Sequence, residues 1–173
     1  VSSVKLGLDS PYQPGGTAVS VRNKWATRFL SSGSDWLGRW SWITLTGRGT
    51  KKITFISAYR VCDGPAVSST TSGTFRAQQE WMYESTGIEH VNLREQFVTD
   101  LIVQIRALQS AGNAIQLSFD ANEASGPGSG VARIMCQCGL SDAHSLCTSD
   151  SSPMPATYQR GSKKIDFVLI SPS

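Results

Sequence analysis

Apolar and polar positions along the chain recur with two periods, and each period marks a kind of element. Residues 114–119 (Ala-Ile-Gln-Leu-Ser-Phe) alternate cleanly, which predicts a half-buried strand. Residues 40–46 are aromatic and β-branched with partial alternation. Residues 53–59 repeat that character after Gly47-Arg48-Gly49-Thr50, a predicted hairpin turn. Residues 165–170 are largely apolar and predict a strand covered on both faces. A fifth strand is expected over residues 16–22, after a Pro-Gly-Gly turn.

The helical period appears twice. Residues 74–83 carry Phe75, Gln78, Gln79 and Met82 without a breaker. In the second helix Asn92 can cap and Glu95 completes a capping-box-like start. Phe97, Leu101, Ile105 and Leu108 follow at helical spacing, and Ala111-Gly112 supplies the stop. Ser/Gly-rich stretches at residues 31–34, 68–73, 126–130 and 148–155 read as loops within one domain. A long amphipathic helix feeding an apolar strand belongs to α/β or α+β architectures.

Composition narrows this picture little. The chain has 173 residues, one domain's length, and 39% hydrophobic residues are enough for a core. Sixteen Lys and Arg against 13 Asp and Glu leave a net charge of +3, which permits a nucleic-acid partner without requiring one. No run of 18 apolar residues predicts a membrane span. No secretory signal is visible, so reduced thiols in an intracellular compartment are expected. Cys136, Cys138, His144 and Cys147 could form a zinc set. However, only Gln137 separates the first two cysteines, against the usual two to four residues, so ordinary thiols are expected.

Chemistry concentrates where predicted strands end. Phe119-Asp120-Ala121-Asn122-Glu123 closes the alternating strand. If the backbone stays extended, the Asp120 carboxylate and the Asn122 carboxamide project together. The carboxylate can orient a water or attract a hard cation, and the amide can donate to a phosphate oxygen. The Gly-rich loop beyond leaves room for a ligand. Asp-x-Asn at a strand end is equally ordinary turn chemistry. Asp166 opens an apolar strand, where a carboxylate needs a partner. Arg160, Lys163 and Lys164 beside it can meet phosphates or simply solvate the loop. Tyr59 and Arg60 end another strand, as a hydroxyl and a bidentate anchor for phosphate, or as a buried pair satisfied elsewhere.

The order of these pieces resembles the endonuclease/exonuclease/phosphatase superfamily, with its DNase I-like fold. It runs from the Pro-Gly-Gly-Thr-Ala-Val segment through Leu37-Gly38-Arg39-Trp40-Ser41, Ala58-Tyr59-Arg60 and a Gln78-Gln79 helix. It continues through Asp120-Ala121-Asn122-Glu123 and Gly139-Leu140-Ser141-Asp142-Ala143-His144 to Thr157-Tyr158 and Lys164-Ile165-Asp166. The Gly-Arg-Trp-Ser and Tyr-Arg segments are most similar to members encoded beside reverse transcriptases in retroelements.

The resemblance implies an α/β (α+β) four-layer sandwich: two packed mixed β-sheets with helices outside. It implies metal-assisted phosphoester hydrolysis with Mg²⁺ or Mn²⁺. Asp120, Asn122, Tyr59 and Asp166 take the catalytic positions, while Arg60, Thr157 and Arg160 are substrate-binding candidates. The implied partner is DNA, with Arg22, Lys24, Arg48, Lys51, Lys52, Arg160, Lys163 and Lys164 as candidate phosphate contacts. A reverse transcriptase region of the same polyprotein is a further implied partner, and an intracellular, nuclear location follows.

The family's first strand with its Asn and the helix with its metal-binding Glu belong upstream of Val1. Its Ser-Asp-His belongs downstream of Ser173. Residues 1–173 are therefore expected to be a partial domain truncated at both ends, without a metal ligand of its own. Phe119 replaces the usual glycine, and its ring is expected to crowd the cleft or swing Asp120 aside. His90 and His144 are expected to be structural. Two other readings remain: a catalytically incompetent remnant that binds nucleic acid or a protein, and a phosphatase of the same superfamily.

Overall fold

A computed structural model describes residues 15–62, 73–89, 91–148, 155–157 and 161–172. A 3-10 turn at Asn23–Arg28 leads into β1 (Phe29–Ser34), β2 (Trp40–Thr46) and β3 (Lys52–Tyr59). Helices α1 (Gly73–Thr86) and α2 (Leu93–Ser110) then cross over to β4 (Asn113–Asp120). After β4 come α3 (Gly130–Cys138), β5 (Ser141–Asp142), α4 (Ala143–Cys147) and β6 (Asp166–Ile170). The strands form one six-stranded sheet in the order β1-β2-β3-β4-β6-β5. Only β3 and β4 are parallel neighbours, as the helical crossover between them requires.

Local chemistry sets the helix boundaries. Asn92 Oδ1 accepts from Glu95 N at 3.1 Å and starts α2. Phe97, Val98, Leu101, Ile102, Ile105 and Leu108 are its buried stripe. On β4 the alternation sends Ile115, Leu117 and Phe119 into the same core. Phe97 sits between Phe119, stacked at 5.6 Å, and the edge of Trp40 at 5.7 Å. The Gly-Arg-Trp-Ser segment is a structural corner. Arg39 is buried, ion-paired to Asp35 at 2.7 Å and to Asp100 at 2.8 Å.

The mixed α+β architecture with helices outside a mixed sheet is the expected one. Of the two packed sheets expected, the described residues build one. The strand expected over residues 16–22 is absent: only Ala18 forms a bridge, because no strand among the described residues runs alongside it. This segment lies over the sheet, with Thr17 Oγ1 donating to Ser41 Oγ at 3.2 Å. Conversely, residues 31–34, expected as a loop, belong to the edge strand β1. Gly33 is needed there because a Cβ would come within 2.7 Å of the Trp42 ring packed over it.

Candidate active site

Strand register assembles the site. Tyr59 pairs with Asp120 across β3 and β4, and Asp120 pairs with Asp166 across β4 and β6. Directly paired residues share a face, so the three side chains form one row across three strands, about 10 Å from end to end. They line a cavity of about 810 Å³ together with Ser57, Ser118, Asp142, His144 and Lys164. Phe119 points the other way. Its expected intrusion is corrected by alternation: the ring is 3% exposed, stacked in the core, and Asp120 keeps the cleft face.

The backbone does not stay extended beyond β4. Asn122 adopts φ 49°, a left-handed conformation, and its N–H donates to Asp120 Oδ1 at 3.2 Å. Turn chemistry therefore forms the Asp-x-Asn segment, and the two side chains do not simply project in parallel. Asn122 Nδ2 donates to the Arg60 carbonyl at 2.7 Å. The Asn122 and Cys62 side chains are near enough to the Tyr59 phenol to influence it in opposite directions, Cys62 raising and Asn122 lowering its pKa.

Beneath this turn lies a buried charge cluster. Glu123 Oε1 meets Arg60 Nη1 at 2.6 Å and accepts from Val131 N at 3.0 Å, while Oε2 meets Arg94 Nη2 at 3.4 Å. Arg94 also donates to the Val61 carbonyl at 2.6 Å and the Asn122 carbonyl at 3.3 Å. Arg60, a candidate substrate anchor in the sequence, is 2% exposed and turned into this cluster, outside the cleft. At Gly130, where the Gly-rich loop enters α3, the backbone is pressed against this cluster, whereas Gly126 and Gly128 face open space. Ser129 caps α3 through its Oγ, and a Cβ on Gly130 would lie 2.8 Å from Glu123 Oε1 and 3.0 Å from Arg60 Nη1.

On the opposite flank Thr157 Oγ1 accepts from Ile165 N at 2.9 Å and Asp166 N at 3.1 Å, so it fixes the start of β6. Lys164 Nζ meets Asp142 Oδ2 at 2.6 Å. Asp142 caps α4, and β5 pairs with β6, which together bring His144 to the cleft wall. His144 had no expected place near a strand end, because the two-residue β5 before it leaves no periodic signal. Arg160 and His90 lie outside the described residues.

Electrostatics separates these groups. Burial raises the Asp120 carboxyl above the ordinary range, and the neighbouring Asp166 charge adds to that, against the opposing Asn122 N–H. Burial, Cys62 and Asp120 likewise raise the Tyr59 phenol, keeping it protonated as a donor. Burial pushes Glu123 up, but Arg60, the Val131 N–H and Arg94 outweigh it and hold the carboxyl below its ordinary value.

A divalent cation is implied by the resemblance. Among the described residues no three His, Cys, Asp or Glu side chains gather to hold one. Mg²⁺ is commonly held by one or two carboxylates together with waters and substrate phosphate, so the facing Asp120 and Asp166 would supply part of such a site. The four zinc candidates do not converge either: Cys136 and Cys147 are exposed and Cys138 is buried, its thiol raised to about 11 mainly by burial.

No family model and no curated protein matches this sequence. Among solved structures, the chain is similar to the catalytic domain of human Nocturnin, solved with a bound sulfate anion. The identity is 16% over 83% of this chain and 48% of that one, with a TM-score of 0.50. It is also matched to sphingomyelinase C from Streptomyces griseocarneus at 13% identity, over 82% of this chain and 45% of that one. The TM-score there, 0.36, carries no argument. The chain spans about half the length of each, 48% and 45%. The likeness to Nocturnin shows the fold, a mixed α+β fold of the DNase I-like kind. Among the described residues no helix is long and apolar enough to cross a membrane.

Proposed function

We propose that the cleft hydrolyses phosphodiesters, and that the chain is part of a DNA endonuclease domain of a retroelement, acting in the nucleus beside a reverse transcriptase region. The observation that carries the reading is the row Tyr59, Asp120, Asp166 on three adjacent strands. Asp120, with its raised carboxyl, suits proton exchange with an attacking water. The protonated Tyr59 suits donation to a phosphate oxygen, and Asn122, whose Nδ2 is bound to the Arg60 carbonyl and which does not line the cleft, supports the turn behind Asp120. A sulfate anion is bound in the Nocturnin structure. From this we carry over only the expectation that a tetrahedral oxyanion fits the cleft here. Mg²⁺ or Mn²⁺ belongs to this reading as a family expectation, and further ligands to it have to come from outside the described residues.

The test is nicking of supercoiled plasmid in Mg²⁺ or Mn²⁺, with EDTA and Asp120→Ala as controls and p-nitrophenyl phosphate as a monoester. Cutting by wild type that EDTA and Asp120→Ala abolish supports the reading. Monoester turnover alone moves the protein to the phosphatases. A second reading, a remnant that binds without cutting, is favoured by the absence, among the described residues, of any group of three His, Cys, Asp or Glu side chains that could hold a metal ion. Binding of the plasmid with no nicking above Asp120→Ala would establish it.

A further inference from the structure

Most of the cations that the sequence offers as phosphate contacts are not at the cleft. β3 runs from Lys52, beside the β2–β3 hairpin, to Tyr59 in the site row, a separation of about 23 Å. Arg48 and Lys51 lie on that hairpin, at the far end of the sheet. The 3-10 turn docks beside them: Arg28 Nη1 donates to the Thr46 and Gly47 carbonyls, both at 3.3 Å. On this turn Trp25 is 52% exposed, with Lys24 Nζ at 5.6 Å and Arg28 Cζ at 5.7 Å from its ring.

Such a surface usually mixes both signs of charge. Here the only acid between Gly15 and Cys62 is Asp35, which is buried and ion-paired to Arg39. Among the described residues, none of Arg22, Lys24, Arg28, Arg48 and Lys51 is ion-paired. A half-exposed indole among unneutralised cations matches the chemistry that binds unpaired nucleic acid, with a base on the ring and phosphates on the cations.

We propose that this platform is a second nucleic-acid contact, separate from the cleft, which takes a single strand. A base stacks on Trp25, and phosphates lie along Arg22, Lys24, Arg28, Arg48 and Lys51. The proposal goes beyond the hydrolase reading, since it does not need the cleft to cut.

The experiment measures anisotropy of a fluorescein-labelled 15-nucleotide oligo-dT, and of a duplex of equal length, in EDTA so that any cutting is silent. The expected result is single-strand binding that weakens as salt rises and falls about tenfold in Trp25→Ala. Trp25→Phe, which keeps a stacking face, should retain most of the affinity. Arg22→Gln with Arg48→Gln should flatten the slope of log K against log salt by about 1.4, some 0.7 for each lost phosphate contact. Unchanged binding in Trp25→Ala overturns the proposal, as does equal loss in Trp25→Phe. Tighter binding of the duplex overturns it too, and so does tighter binding of polyglutamate. No binding at 50 mM salt does the same. Loss of nicking with this binding intact counts against the cleft reading alone.

Discussion

Asp120 and Glu123 stand three residues apart on one turn, and their surroundings treat their charges in opposite ways. Glu123 faces two guanidiniums and a helix N–H, which hold its carboxylate ionised. Asp120 faces another carboxylate across the sheet, and burial resists its ionisation. The inner side of the turn is satisfied and fixes the backbone, including the left-handed Asn122. The outer side keeps a repulsive pair at a cleft. Structural ion pairs relieve charge, whereas a site that must exchange protons or receive a charged ligand leaves it unrelieved.

The largest test of this contrast lies behind both groups. Phe119→Gly removes the ring stacked on Phe97, and a loss of about 4 kcal/mol is expected in urea unfolding. That substitution should not raise activity, because the ring is not in the cleft. Glu123→Ala comes next. It strands Arg60 and Arg94 without their counter-charge, and about 3 kcal/mol should be lost near neutral pH.

The sign with pH follows from the lowered carboxyl. The stability that Glu123 contributes is present above its ordinary 4.5 and is lost as pH falls through its lower folded value. The gap between wild type and Glu123→Ala should therefore narrow below about pH 4.5 in a series of denaturation curves. A gap that widens on acidification would contradict the paired assignment.

Thr157→Val removes the acceptor of two N–H groups at the start of β6, and about 1 kcal/mol is expected because water can replace it there. The smallest effect tests the outer pair itself. Asp166→Asn removes the facing charge, so the Asp120 carboxyl should titrate lower by ¹³C NMR; an unmoved titration would show that burial alone raises it.

How far the sequence anticipated this arrangement depends on how local each signal is. The Asn92 cap, the α2 stripe and the β4 alternation are written in consecutive residues, and all three form as expected. Tyr59, Asp120 and Asp166 each stood out as strand-end residues, but their common row is a matter of register between distant strands. Arg60 showed a cation without showing its direction. Its partners, Arg94 and Glu123, lie 34 and 63 residues away, and burial against them turns it inward. The strand expected at residues 16–22 had the right composition, but among the described residues only its Ala18 forms a bridge. β1 is hidden in a Ser/Gly stretch that only the overlying Trp42 explains.

On the proposed function, Asp120 is kept for chemistry at some expense to the fold. Because its carboxyl is raised, ionisation opposes folding above its ordinary 3.8, the reverse of Glu123. The direct measurement pairs thermal melting with plasmid nicking in Mg²⁺ on wild type and Asp120→Asn at neutral pH. The expected result is a variant that melts no lower than wild type and cuts at least about a hundredfold more slowly. A variant that melts lower yet cuts as fast as wild type would contradict the claim.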